Sequence, residues 1–187
     1  TKNIYFIKTL IFFSLFIFLL SCSSGNLKTS YGMRLISHPN LNLCKGKFHE
    51  NRWTNCTGFI NYKNNDTYQG AFLNGKPHGE DGTYTWPNGD TFIGTFNNGT
   101  YTKGIYKWAS GNKYIGEFKA AVKNSRRFYN KHGLGIYKSR NETYIGDFLK
   151  NDYHGFGLKK HNYGKNKLSE GEFKRGSFIK KRNVDFK

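Results

Sequence analysis

Proline and cysteine are scarce, at three residues each in 187, acidic side chains number 12, and methionine occurs once. So few prolines exclude collagen-like and polyproline character. Long hydrophobic runs are missing too. The apolar stretch Thr9–Leu20 is twelve residues, and as a helix it rises about 18 Å, short of the roughly 30 Å hydrocarbon core, so a signal h-region fits it better than a transmembrane span. No P-loop, dinucleotide-binding fingerprint, nucleophile elbow or Cys/His metal cluster appears, so the expectation is a protein that is not an enzyme and holds no cofactor or metal. His78, His132 and His154 each precede a glycine; recurring at one repeat position, they read as structural residues rather than ligands.

What is present is aromatic and basic. Hydrophobic content is 36%, too low for a large conventional core, but aromatic residues make up 18% of the chain and glycines number 22. Burial must therefore come from rings, with glycine supplying turns and close backbone approach. Lys and Arg total 30, for a formal net charge of +18. The excess is uneven: Cys22–Phe118 carries 10 basic and 6 acidic residues, whereas Lys119–Lys187 carries 18 and 6, net +12. Such asymmetry fits a polyanionic partner for the C-terminal part, and it equally fits a solubilising surface.

Lys2 and Lys8 flank the start of the apolar run, which ends in Leu19-Leu20-Ser21-Cys22. This arrangement resembles a bacterial lipobox behind a signal sequence. The resemblance implies that residues 1–21 are a lipoprotein signal peptide and that Cys22 carries the lipid, fixing the chain to a membrane of the cell envelope (the outer membrane in a Gram-negative cell). Residues 22–43 then form a polar tether. Export favours disulfides. With Cys22 lipidated, Cys44 and Cys56 are the remaining pair, twelve apart; they are expected to bond across a first hairpin, the alternative being two free thiols.

The fold argument rests on self-alignment. Gly58–Gly70 repeats as Gly82–Gly94 at an offset of 24, and again as Gly104–Gly116. The second half of each unit has the form aromatic-x-Gly-x-Phe, at Tyr68/Gly70/Phe72, Phe92/Gly94/Phe96, Tyr114/Gly116/Phe118 and Tyr144/Gly146/Phe148. Degenerate copies flank these at Cys44/Gly46/Phe48 and Ser169/Gly171/Phe173, and an insertion of about eight residues separates Phe118 from Gly133. In a strand, positions i, i+2 and i+4 share a face, so each unit sets two rings on one side with a gap at the glycine, over which a neighbouring ring can lie. One hairpin cannot bury such a face alone.

Phe72-Leu73-Asn74-Gly75-Lys76-Pro77-His78-Gly79 and Phe148–Gly157 complete the pattern, which resembles the membrane occupation and recognition nexus (MORN) repeat. The resemblance covers about Cys44 to Phe173 and implies an all-β fold: a single-layer elongated sheet of about six repeated hairpins over residues 44–173, on the order of 55 Å long, followed by a basic tail, 174–187. It also implies a membrane- or protein-binding module. The expected anion-binding residues are Lys119, Lys123, Arg126, Arg127 and Lys131 in the insertion and Lys174, Arg175, Lys180, Lys181 and Arg182 in the tail. They would meet anionic lipid or an envelope polymer; the competing expectation is a protein scaffold that docks its partner on the aromatic face. Nucleic acid is not expected of an exported chain.

Overall fold

The computed structural model describes residues 26–28, 34–36, 41–163 and 168–181. The signal segment 1–21, Cys22, most of the tether and Arg182 lie outside the described residues. β1 (Asn26–Lys28) and β2 (Arg34–Ile36) pair antiparallel as a separate two-stranded sheet. The main sheet runs from β3 (Asn42–Leu43) through β4 (Cys56–Asn61), β5 (Thr67–Leu73), the two-residue β6 (Lys76–Pro77), β7 (Gly79–Thr85) and β8 (Thr91–Asn97). It continues through β9 (Thr100–Lys107), β10 (Lys113–Lys123), β11 (Arg126–Lys138), β12 (Glu142–Leu149), β13 (Asp152–His161), β14 (Leu168–Lys174) and β15 (Ser177–Lys181). From β4 onward the strands pair antiparallel in chain order into one open all-β sheet, except that β5 pairs β7 directly and the short β6 pairs only β5.

A row of glycines crosses this sheet. Gly58 pairs with Gly70, Gly82 with Gly94, and Gly94 with Gly104; Gly104, Gly116, Gly135, Gly146, Gly157 and Gly171 follow in register. The sequence suggested that a neighbouring ring covers each glycine. At Gly70, Gly94, Gly116 and Gly146 the covering ring comes from the same strand, two residues earlier, and reaches the next strand's glycine as well. Tyr114 lies over Gly116 and Gly135, and a Cβ added at Gly135 would meet its Cε2 and Oη at 2.6 Å. Tyr144 lies over Gly146 and Gly157 in the same way. Lying flat, each tyrosine ends at backbone acceptors: Tyr114 Oη donates to Glu117 O (3.1 Å) and His132 O (3.3 Å), and Tyr144 Oη to Asp147 O (3.1 Å) and His154 O (3.2 Å). Tyr68, Phe92, Tyr114 and Tyr144 are thereby completely buried although the sheet is a single layer.

The phenylalanine two residues past each glycine closes the next row. Tyr144 meets Phe148 and Phe173 edge-on at 5.2 and 5.1 Å, and Tyr114 meets Phe118 and Phe148 at 5.0 and 4.9 Å, the geometry ring quadrupoles prefer. Bulges follow the row glycines at Gly116/Glu117 and Gly146/Asp147, and such bulges bend a strand and increase its twist. Two buried turn carboxylates tie the other margin: Tyr84 Oη donates to Asp66 (2.5 Å) and Tyr106 Oη to Asp90 (2.8 Å). Burial pushes Asp90 up, but hydrogen bonds from Ala109 N, Tyr106 and Asn88 outweigh it and hold the carboxyl below its ordinary value.

Three expectations are corrected, and the insertion takes a definite form. The first unit is not a hairpin: Cys44 follows β3, which runs parallel to β4, and residues 45–55 form a looped segment. Its Trp53 folds back to cap the sheet, meeting Phe72 at 5.0 Å and Phe48 at 5.3 Å. The insertion forms a long hairpin, β10–β11, because Asn124 and Ser125 both adopt positive φ (50° and 59°) and make the tight turn whose twist matches its strands. The tail does not begin at 174. Arg175 and Gly176 turn the chain at positive φ, and Phe178-Ile179, a strand-forming pair, carry it back beside β14 as β15. Within the tether, Leu27 and Leu35 are register partners in the β1–β2 ribbon, so that segment is not wholly irregular.

Candidate functional site

Cys44 and Cys56 are disulfide-bonded, with Cα atoms 5.0 Å apart. The bond ties the Trp53 loop to the first full strand. Cys44 Sγ and the Trp53 ring both crowd Gly58, so the bridge holds the capping indole over the end of the glycine row. Closing a loop of this length contributes about 2–3 kcal/mol on a chain-entropy estimate.

The expected basic cluster in the insertion is divided by strand alternation. Along β10 the rings of Tyr114 and Phe118 face one way, so Lys119 and Lys123 face the other; Lys123 is opposite Arg126 and Lys119 opposite Asn130. Ala121 and the exposed Phe128 share that outward face. Arg127 and Lys131 turn to the aromatic face instead. Arg127 Nη1 donates to Thr100 Oγ1 at 2.9 Å. The Lys131 ammonium sits among rings, 4.6 Å from the centroid of Tyr137, 5.6 Å from Phe148, 5.8 Å from Trp108 and 5.9 Å from Tyr114. Burial pulls its pKa below the usual lysine value, against the opposing pull of Asp152 and Glu142. It occupies, opposite Phe118, the register position that Tyr101 and Tyr153 hold opposite Phe96 and Phe148. Lys131 is thus a component of the ring stack rather than a free surface cation.

At the C-terminal end Lys174, Arg175 and Lys181 are exposed, while Lys180 pairs with Glu172 at 3.3 Å. Lys159 is likewise neutralised, 2.8 Å from Glu142, which also accepts from Tyr153 Oη at 2.5 Å. Burial pushes Glu142 up, but the bonds from Lys159 and Tyr153 prevail and leave it below its ordinary value.

The face opposite the rings carries two rows that sequence reading missed. Ile93, Ile105, Ile115, Ile136, Ile145 and Leu158 are register partners on successive strands. Alongside them runs Lys107, Lys113, Lys138, Thr143 and Lys160. The signal was available: each lysine directly follows or precedes the repeat position whose partners form the ring row, as in Tyr106-Lys107, Lys113-Tyr114, Tyr137-Lys138 and Lys159-Lys160. Counting charge by segment hid it, because Lys107 and Lys113 fall in the less basic half.

These features define an open β-hairpin repeat protein with a self-buried aromatic face and a basic, aliphatic reverse face. The MORN repeat family model matches the chain over residues 68–91, 103–113 and 144–165, so those segments carry the MORN repeat. No curated protein matches the chain.

Proposed function

We propose that this chain is a non-enzymatic, membrane-anchored lipoprotein of the cell envelope whose MORN-repeat module binds an anionic lipid or envelope polymer through its basic C-terminal half. The carrying observation is charge. Lys119–Lys187 holds 18 basic residues against 6 acidic, and the ion pairs among the described residues engage two of those cations, Lys159 and Lys180. Uncompensated charge at this density steers and holds polyanions. The Leu19-Leu20-Ser21-Cys22 sequence behind an apolar run supports the lipid anchor, and the Cys44–Cys56 bridge supports an oxidising compartment outside the cytoplasm.

The scaffold alternative would use the aromatic face. Its principal rings Tyr68, Phe92, Tyr114 and Tyr144 are consumed by intramolecular packing, which favours the charged surface. Cosedimentation of the purified full chain with phosphatidylglycerol vesicles and with isolated cell wall tests the reading. Binding to at least one, weakened by salt, is expected; binding to neither in dilute buffer would overturn it and favour the scaffold.

A further inference from the structure

Resting on that reading, we propose that the reverse face of the sheet is a binding track for one linear acidic polymer, laid across the strands along Lys107, Lys113, Lys138, Thr143 and Lys160. Lys107 is the register partner of Lys113, Lys113 of Lys138, Lys138 of Thr143, and Thr143 of Lys160. Directly opposed side chains on neighbouring antiparallel strands have Cβ atoms about 4.5–5.5 Å apart, and like charges so placed destabilise a sheet. Neither ion pair found among the described residues involves these four lysines. Three adjacent strands thus carry a repulsion that an anion on each step relieves.

The flanks indicate the shape of the ligand. On one side the lysines border the Ile105–Ile115–Ile136–Ile145–Leu158 row, a strip against which the apolar faces of sugar or polyol units can pack. Beyond that strip, two residues further along the same strands, stand Glu117 and Asp147. A planar membrane pressed on this face would meet those carboxylates, and Lys103 opposite Glu117, together with the lysines. A chain following the lysine row avoids them.

The track also has a built seat. A hollow of about 470 Å³ opens between Lys138 and Lys160, with Thr143 between them, Asn162 at one side, and Ile145, Leu158 and Leu168 as its apolar lining. Two ammonium groups flanking a hydroxyl over an aliphatic floor suit one anionic, hydroxyl-bearing unit. Successive units then reach Lys113 and Lys107.

The test uses the full chain and polygalacturonate, a linear polymer with one carboxylate per unit, with phosphatidylglycerol vesicles as the planar comparison. One variant changes Lys107, Lys113, Lys138 and Lys160 to Gln; a second removes equal charge at exposed positions outside the basic C-terminal half, by Lys45→Gln, Lys47→Gln, Arg52→Gln and Lys63→Gln; a third places Arg at the four track positions. Each basic group near an anionic partner contributes on the order of a few-fold in affinity. The track variant is therefore expected to lose at least about tenfold in polymer affinity, the off-track variant less than about threefold, and the Arg variant to keep binding. Thermal melting of each confirms folding. Equal losses in the two Gln variants would overturn the track and leave the general anion-binding reading intact, as would a track variant that loses vesicle binding yet keeps the polymer. Wild type that binds neither probe sinks the underlying reading itself.

Discussion

Gly135→Ala is the sharpest perturbation of the ring-over-glycine architecture. The added Cβ would stand 2.6 Å from both Cε2 and Oη of Tyr114, far inside ordinary contact. Gly135 is not among the positive-φ residues, so the substitution adds no backbone strain and the effect is steric. Tyr114 cannot swing aside cheaply: it is fully buried, its hydroxyl is held by Glu117 O and His132 O, and its edge contacts Phe118 and Phe148. Overpacking of this kind costs about 1–3 kcal/mol. At roughly 3–5 °C per kcal/mol for a domain of this size, the melting temperature should fall by about 3–15 °C. Leu134→Ala, next door but exposed on the other face, should cost less than about 0.5 kcal/mol. Scanning calorimetry or circular dichroism melts of the two variants decide the matter. A Gly135→Ala protein that melts with wild type would refute the claim that the ring requires a bare backbone beneath it.

Three further outcomes follow from the same structure. Replacing Cys44 and Cys56 together by Ser should lower stability by about 2–3 kcal/mol, and thiol-alkylation mass spectrometry of native protein should find label at these positions only after reduction. Glu142, whose folded pKa lies below its ordinary value of 4.5, contributes stability that is fully present above that value and lost as pH falls below it. Wild type should therefore lose more of its melting temperature than Glu142→Gln between pH 6 and pH 3.5; equal losses would remove the carboxylate from the account. Cys22→Ala should release the protein from the membrane fraction into the soluble one, and a variant that still sediments would refute lipid anchoring at Cys22.

The repeat was legible because its marks recur in register. Aromatic-x-Gly-x-Phe fixes which residues share a face, and pairing copies at a constant offset fixes which strands meet, so the open sheet and its aromatic side follow from spacing alone. The direction in which each ring leans did not follow. Nothing in the spacing distinguishes a ring over its own strand's glycine from one over a neighbour's; the choice is made by carbonyls such as Glu117 O and His132 O, which appear once the bulges form. The Cys44 unit misled for a related reason: Gly46 and Phe48 keep the pattern, but Trp53 supplies a larger apolar surface and folds the segment into a cap. Of the basic residues, Arg127 and Lys131 were grouped with Lys119, Lys123 and Arg126 by proximity along the chain, whereas strand alternation sends them to the opposite face. Linear clustering also concealed the Lys107–Lys160 track, whose members are neighbours across strands rather than along them.

The salt dependence of envelope binding tests the central claim most directly. Titrating sodium chloride from 20 to 500 mM against the full chain bound to phosphatidylglycerol vesicles and to isolated cell wall measures how much of the attachment is charge, with Cys22→Ala protein used so that no lipid anchor contributes. Screening shortens the reach of exposed charges from about 20 Å to about 4 Å over that range. The account predicts that affinity collapses across the titration on at least one of the two surfaces. Binding that holds constant throughout would contradict it, because burial of apolar surface does not weaken with added salt.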